Sequence, residues 1–217
     1  EKSFAGAQGY RYNPTEIAHA QFAAMVTRLD THVGEVWNLL EAKGMTENTL
    51  VIFTSDNGPH TEGGAEPDFF NKDDLLRGYK RALTEGGIRV PMVAQWPGKI
   101  EAGTVSDHIC AFWDYMPTFA ELLNKDLAVE TDGISMLPTL LCNGEQAKHE
   151  YLYWEFYGRA VRKDNWKLIR TGGNTYQLYD LATDLHEDNN LASQYPEIVK
   201  SLDKILEEEH TPSSLFN

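Results

Sequence analysis

Apolar residues recur three or four positions apart at Phe22, Met25, Leu29, Val33, Val36 and Leu40, the spacing of one face of an α-helix. Asn13 as cap, Pro14 at the first helical position and Glu16 at the third predict its start, and Gly44 predicts its end. The pattern then shortens. Leu50 to Ser55 is a compact apolar, β-branched run that predicts a buried strand, and Val90 to Trp96, closed by Pro97-Gly98, predicts a second. Between them, Gly58 to Gly78 reads as a long loop of the kind that carries function or is disordered. Glu85-Gly86-Gly87 reads as a tight turn. Asp107 to Asn124 predicts a strand or loop and then a short helix, with Pro117 near its start and Phe119, Leu122 and Leu123 on its apolar side.

The organisation changes after Cys142-Asn143-Gly144. Tyr151–Tyr157, Ala160–Arg162, Trp166–Arg170 and Tyr176–Leu181 read as strands, the middle two joined by a turn at Asp164-Asn165. A last amphipathic helix runs from Pro196 to about His210, with Ile198, Leu202, Ile205 and Leu206 inward. Helix–strand alternation followed by successive strands and one helix predicts an α/β domain over 1–148 and a small antiparallel α+β subdomain over 149–217. Residues 1 to 12 read as an arriving segment.

Composition narrows the functions. With 41% hydrophobic residues the chain can build a core, and a formal net charge of -14 argues against binding a nucleic-acid backbone. Cys110 and Cys142 make no metal-type pair, and Cys110 reads as a buried small hydrophobe. No apolar run approaches membrane-spanning length, and EKSFAGAQGYRYN lacks a signal-peptide pattern.

Candidate chemistry gathers where the first strand ends. Ligands in open α/β sheets sit outside the carboxyl ends of strands, and here Asp56 and Asn57 bring two oxygen-bearing side chains to such an end. Two readings stand at this point, a binding pair or a plain Asp-Asn-Gly turn. His60 follows in the loop, either as a proton-exchanging or sugar-binding group or as a histidine without chemistry. Lys80 precedes the Glu-Gly-Gly turn. Glu85 and Arg89 read as an internal ion pair or turn-holding groups, His108 as structural, and Trp96, Trp113, Trp154 and Trp166 as core or subdomain-interface residues.

FTSDNGPH, the Lys80-to-Pro91 stretch ending EGGIRVP, and WPG together resemble the sulfatase family, of arylsulfatase type within the alkaline-phosphatase superfamily. RLDTHVGEVWNLLEAKG, DYMPTFAELL, DGISMLPTLL, AVRKDNWKLIR and YQLYDLATDLHEDNNLA extend the resemblance over nearly the whole chain. It implies the second half of an alkaline-phosphatase-like α/β domain, followed by the C-terminal subdomain. It implies that Asp56 and Asn57 bind a divalent metal, with oxygen donors suited to Ca2+, and that Lys80 meets the sulfate group. His60 would touch the sugar or protonate the leaving oxygen. The family's nucleophile is a formylglycine made in a Cys/Ser-x-Pro/Ala-x-Arg motif, yet no Cys or Ser here has Arg four residues later. The nucleophile and the remaining metal ligands are therefore expected in an N-terminal half outside this sequence, and the chain alone is expected to be inactive. The implied partners are a sulfated small molecule or glycan and that half; the implied location is periplasmic or secreted. The alternatives are a short, non-catalytic binding relative, or a phosphatase or phosphonate hydrolase of the same superfamily.

Overall fold

A computed structural model describes Ser3 and residues 13–71, 75–173 and 175–213 of the 217. The expected arriving segment, residues 1 to 12, lies outside the described residues apart from Ser3. The first helix, α1 (Ala18–Ala42), begins later than Asn13-Pro14 implied: Ile17 precedes it without a side-chain cap, and the Ile17 carbonyl accepts the Gln21 N–H instead. Its C-terminus is as expected, since Gly44 adopts the positive φ (64°) that closes a helix. Met25, Val26, Leu29, Val36 and Leu39 on α1 are all more than half exposed, so its apolar stripe is uncovered.

The two strands of the first sheet, β1 (Val51–Thr54) and β2 (Met92–Gln95), pair antiparallel with Phe53 opposite Val93. Both were expected to be buried. Instead Phe53 is 43% and Val93 63% exposed, while their neighbours Ile52 and Ala94 are half-buried. Side chains alternate along a strand, and only one face of this pair is covered. Between the strands, the described residues include a 3-10 turn at Glu62–Gly64 and the one-turn helix α2 (Pro67–Phe70) in the long loop, and a further one-turn helix, α3 (Glu85–Ile88), after it. The Glu-Gly-Gly turn is thus the start of a helical turn.

Two short helices follow, α4 (Tyr115–Leu122) and α5 (Leu137–Leu141). The second sheet is a four-stranded antiparallel meander, β3 (Leu152–Glu155), β4 (Gly158–Lys163), β5 (Trp166–Thr171) and β6 (Thr175–Asp180), followed by α6 (Pro196–Glu208). Its inner strands are buried on both faces. Val161, Leu168 and Leu178 pack on Leu202 and Leu206 of α6. Ala160, Ile169 and Tyr179 turn the other way, against Leu83 and Leu181, with Trp154 beside them. Leu83 comes from the segment just before α3, so the core of the second sheet reaches the loop that carries Lys80.

Candidate active site

Asp56 and Asn57 follow β1 directly, and Lys80 lies far along the chain in the loop before α3. Backbone contacts bring these segments together. Gly58 N–H donates to the Gly87 carbonyl (3.0 Å), Lys80 N–H to that of Pro59 (2.7 Å), and Gly86 N–H to that of Arg77 (2.8 Å). Such approach excludes side chains. A Cβ on Gly58 would fall 1.8 Å from the Gly86 oxygen, and one on Gly86 would fall 2.4 Å from the Gly78 oxygen. Asp-Asn-Gly and Glu-Gly-Gly are therefore two halves of one interlocked backbone unit.

That unit places Asp56, Asn57 and Lys80 on the wall of one cavity of about 600 Å³. Ser55 Oγ donates to the Asn57 carbonyl (2.9 Å), and Asn57 Nδ2 donates to the Gly58 carbonyl (2.9 Å), which leaves Oδ1 as the side chain's acceptor. Arg81 also borders the cavity, but its guanidinium is held by Glu62 Oε1 at 2.6 Å. Aromatic residues that the sequence reading did not place here complete the walls: Phe112, Trp113, Tyr115, Trp154 and Phe156. The segment bearing the first three is fixed by buried Asp114, whose carboxylate accepts the Ala111 N–H (2.7 Å) and the Ile134 N–H (2.8 Å) and meets His149 Nε2 at 2.9 Å. Cys110, expected to be buried, is half-buried and borders the same cavity; burial, with the Asp114 charge adding, pushes its thiol above the ordinary value.

His60 does not share that cavity. It lines a neighbouring one of about 760 Å³ with Arg77, Tyr79 and His186. Its Nδ1 accepts the Glu62 N–H at 3.1 Å, so Nε2 carries the proton of the neutral ring.

Glu85 is internal, as expected, but Arg89 is one of three cationic partners and not the nearest; Arg162 Nη1 lies 3.7 Å from Glu85 Oε2. Arg89 Nη1 lies 3.6 Å from Glu85 Oε2, whereas Lys167 Nζ reaches Glu85 Oε1 at 2.9 Å and Glu187 Oε1 at 3.0 Å. Glu187 Oε2 in turn accepts the Glu85 N–H at 2.7 Å. Lysine within a strand ordinarily marks a solvated face, which is why the sequence hid Lys167. The signal available was its place inside the run Trp166-Lys167-Leu168-Ile169.

The donor chemistry suits a hard cation. Asp56 offers an exposed carboxylate and Asn57 an amide oxygen, two of the six to eight oxygens calcium takes. Among the described residues no three His, Cys, Asp or Glu side chains converge on a metal position.

The Sulfatase family profile matches residues 1–125, and the profile for the C-terminal region of N-sulphoglucosamine sulphohydrolase matches residues 78–211. The chain belongs to the sulfatase family. It is 31% identical over 225 aligned residues to an N-acetylgalactosamine-6-O-sulfatase of Bacteroides thetaiotaomicron, spanning 88% of this sulfatase chain and 44% of that protein. Human arylsulfatase A is 36% identical over 146 residues, covering 65% of this chain and 27% of that one. Among solved structures, one from work on glycosaminoglycan metabolism by Bacteroides thetaiotaomicron superposes with a TM-score of 0.71 at 32% identity, over 83% of this chain and 42% of that one. Another, in complex with its substrate D-glucosamine-2-N,6-O-disulfate, gives 0.68 at 26% identity, over 84% and 38%. The sulfatase described here thus spans less than half the length of these relatives, and its α/β architecture is that of their alkaline-phosphatase-like fold.

Proposed function

We propose that this chain is the metal- and sulfate-binding portion of a sulfuric ester hydrolase acting on sulfated carbohydrate. The observation that carries the reading is the convergence of Asp56, Asn57 and Lys80 on one cavity through a glycine-locked backbone. Asp56 and Asn57 Oδ1 would hold calcium, whose charge would draw electron density from sulfate oxygens. The Lys80 ammonium is a compact cation able to follow charge as it shifts toward the departing oxygen. His60 Nε2–H, in the neighbouring cavity, would donate to a sugar hydroxyl or to the leaving oxygen. No Cys or Ser of this sequence heads a formylglycine motif, so the nucleophile is assigned to a part of the protein outside these 217 residues.

Residues 1–148 would then complete the catalytic α/β domain and residues 149–217 form the C-terminal subdomain. The carbohydrate preference is supported by the relatives named for a sulfated amino sugar and solved with one. The proposed location is periplasmic or secreted. No helix among the described residues is long and apolar enough to cross a membrane.

The test is release of inorganic sulfate by the complete protein with calcium. The panel comprises N-acetylgalactosamine 6-sulfate, glucosamine-2-N,6-O-disulfate, tetrasaccharides carrying either residue at one end, and 4-nitrophenyl sulfate. Release that stops on chelation is expected. Hydrolysis of phosphate or phosphonate monoesters with no sulfate released from any member would overturn the reading.

A further inference from the structure

The tip of the hairpin between β3 and β4 is a pair of aromatic residues, Phe156 and Tyr157, where a tight turn ordinarily selects glycine, asparagine or aspartate. Tyr157 has φ +50°, a left-handed conformation that costs a bulky residue free energy, and it is 93% exposed. Phe156 is 43% exposed, and the two rings meet edge to face with centroids 4.6 Å apart. Neither burial nor local turn preference accounts for this pair. Strain retained at an exposed position next to a cavity points to use.

The position of the tip indicates that use. Glu155 and Phe156 border the cavity of Asp56, Asn57 and Lys80, and the same two residues border a second cavity of about 780 Å³. That second cavity is lined by Tyr157, Arg159, Arg170, His210 and Thr211. Its charges are already matched: Arg170 Nη1 lies 2.8 Å from Asp203 Oδ1, and His210 Nδ1 lies 3.0 Å from Glu155 Oε2. A polar wall of internally paired charges suits hydroxyl groups better than another anion.

We propose that Phe156 and Tyr157 form a platform for the sugar ring next to the sulfated one, so that the site takes an oligosaccharide running from the Lys80 cavity across the hairpin tip. The proposal rests on the sulfatase reading above. Aromatic side chains carry a large, rigid apolar face suited to stacking, and the second cavity supplies hydrogen-bonding groups beyond it.

The experiment compares kcat/KM of the complete enzyme for a monosaccharide of the panel above with that for the tetrasaccharide carrying the same sulfated residue at its end. The wild type is expected to favour the tetrasaccharide. Tyr157→Gly removes the ring and also relieves the positive φ, so loss of folding does not confound it. It should lower the tetrasaccharide-to-monosaccharide ratio of kcat/KM roughly two- to twelve-fold, the range for one aromatic stacking contact. Tyr157→Phe should keep the ratio. An unchanged ratio in Tyr157→Gly, or equal wild-type kcat/KM for the two lengths, overturns the platform while leaving the sulfatase reading intact. So does an equal fall for both lengths with a lower melting temperature, which would make the tip a packing surface for the rest of the protein. If the wild type releases sulfate from neither length, the sulfatase reading fails and the platform with it.

Discussion

Lys167 Nζ sits 2.9 Å from Glu85 Oε1, and the two side chains are 0% and 3% exposed. The pair joins the second sheet to the turn that locks Asp56, Asn57 and Lys80 into one cavity. Glu187 closes the arrangement from the loop after β6, meeting Lys167 at 3.0 Å and accepting the Glu85 N–H. Burial pushes the Glu187 carboxyl above the ordinary range, and the Lys167 charge opposes that shift. Removing the lysine would leave buried Glu187 without a cation and Glu85 with only its longer contacts to Arg89 (3.6 Å) and Arg162 (3.7 Å). Lys167→Met in the complete protein should therefore cost about 3–5 kcal/mol, the penalty for an uncompensated buried charge. Thermal melting checks this, and adding Glu187→Gln, which neutralises the stranded carboxylate, should recover part of the loss. A melting point within a degree or two of wild type, as expected for an exposed lysine, would show that these charges are not shut away from water.

The glycine lock makes a second claim measurable. Gly58→Ala places a methyl group into the Gly86 carbonyl and must separate the two turns. Calcium affinity, by calorimetry on the complete protein, should fall at least about tenfold. Asp56→Ala, which deletes the proposed charged ligand, should fall further, and Asn57→Ala should fall less than Asp56→Ala. Gly34→Ala in α1 is the control, because nothing lies within 4 Å of its new methyl; it should gain about 0.4–1 kcal/mol in stability. Unchanged calcium affinity in Asp56→Ala would return Asp-Asn-Gly to the role of a plain turn.

Asp184 gives a pH dependence of definite sign. Desolvation raises its carboxyl, but the N–H groups of Asn189 (2.8 Å) and Asp188 (3.0 Å) outweigh that and hold it below the ordinary value. A carboxyl depressed by folding stabilises the protein above its unfolded value and loses that contribution as pH falls through the folded one. The loop it braces carries Glu187, itself at a positive φ of 63°. Asp184→Asn should thus lower the melting temperature near pH 7, with the difference from wild type shrinking below about pH 4. A difference that stays constant or grows on acidification would contradict this.

The sheet and helix of the C-terminal region were legible because their signals are local. Asp164-Asn165 makes the expected turn, with Asp164 at φ +54°, and Leu202 and Leu206 face inward as their spacing implies. The start of α1 was misread because Asn13-Pro14 looks like a cap in isolation, whereas the first helical residue is Ala18. Periodicity found the apolar face of α1 and the apolar strands β1 and β2, but it does not say what covers them; Val36, Phe53 and Val93 are uncovered here. At the site, the family motif picked out Asp56, Asn57 and Lys80, and the fold brings those three together. It carried no sign that His60 lines a separate cavity, since a short loop can cross from one wall to another. Lys167 and the Phe156–Tyr157 tip were hidden for a different reason: each breaks a residue preference, and only tertiary context shows what the exception does.

The role of Lys80 is the most direct test of the whole account. If its ammonium meets the sulfate group as charge develops, Lys80→Ala in the complete enzyme should lower kcat about 100- to 1,000-fold, the usual effect of losing one preorganised electrostatic contact. Melting temperature should hardly move, and Lys80→Arg should restore only part of the rate, because a planar fork replaces a compact cation poorly. Arg81 is the matched control: it borders the same cavity, but its charge is held by Glu62. A steep loss of kcat/KM for Lys80→Ala beside a small one for Arg81→Ala is the predicted result. Similar small losses for both would contradict the assignment of this cavity to sulfate.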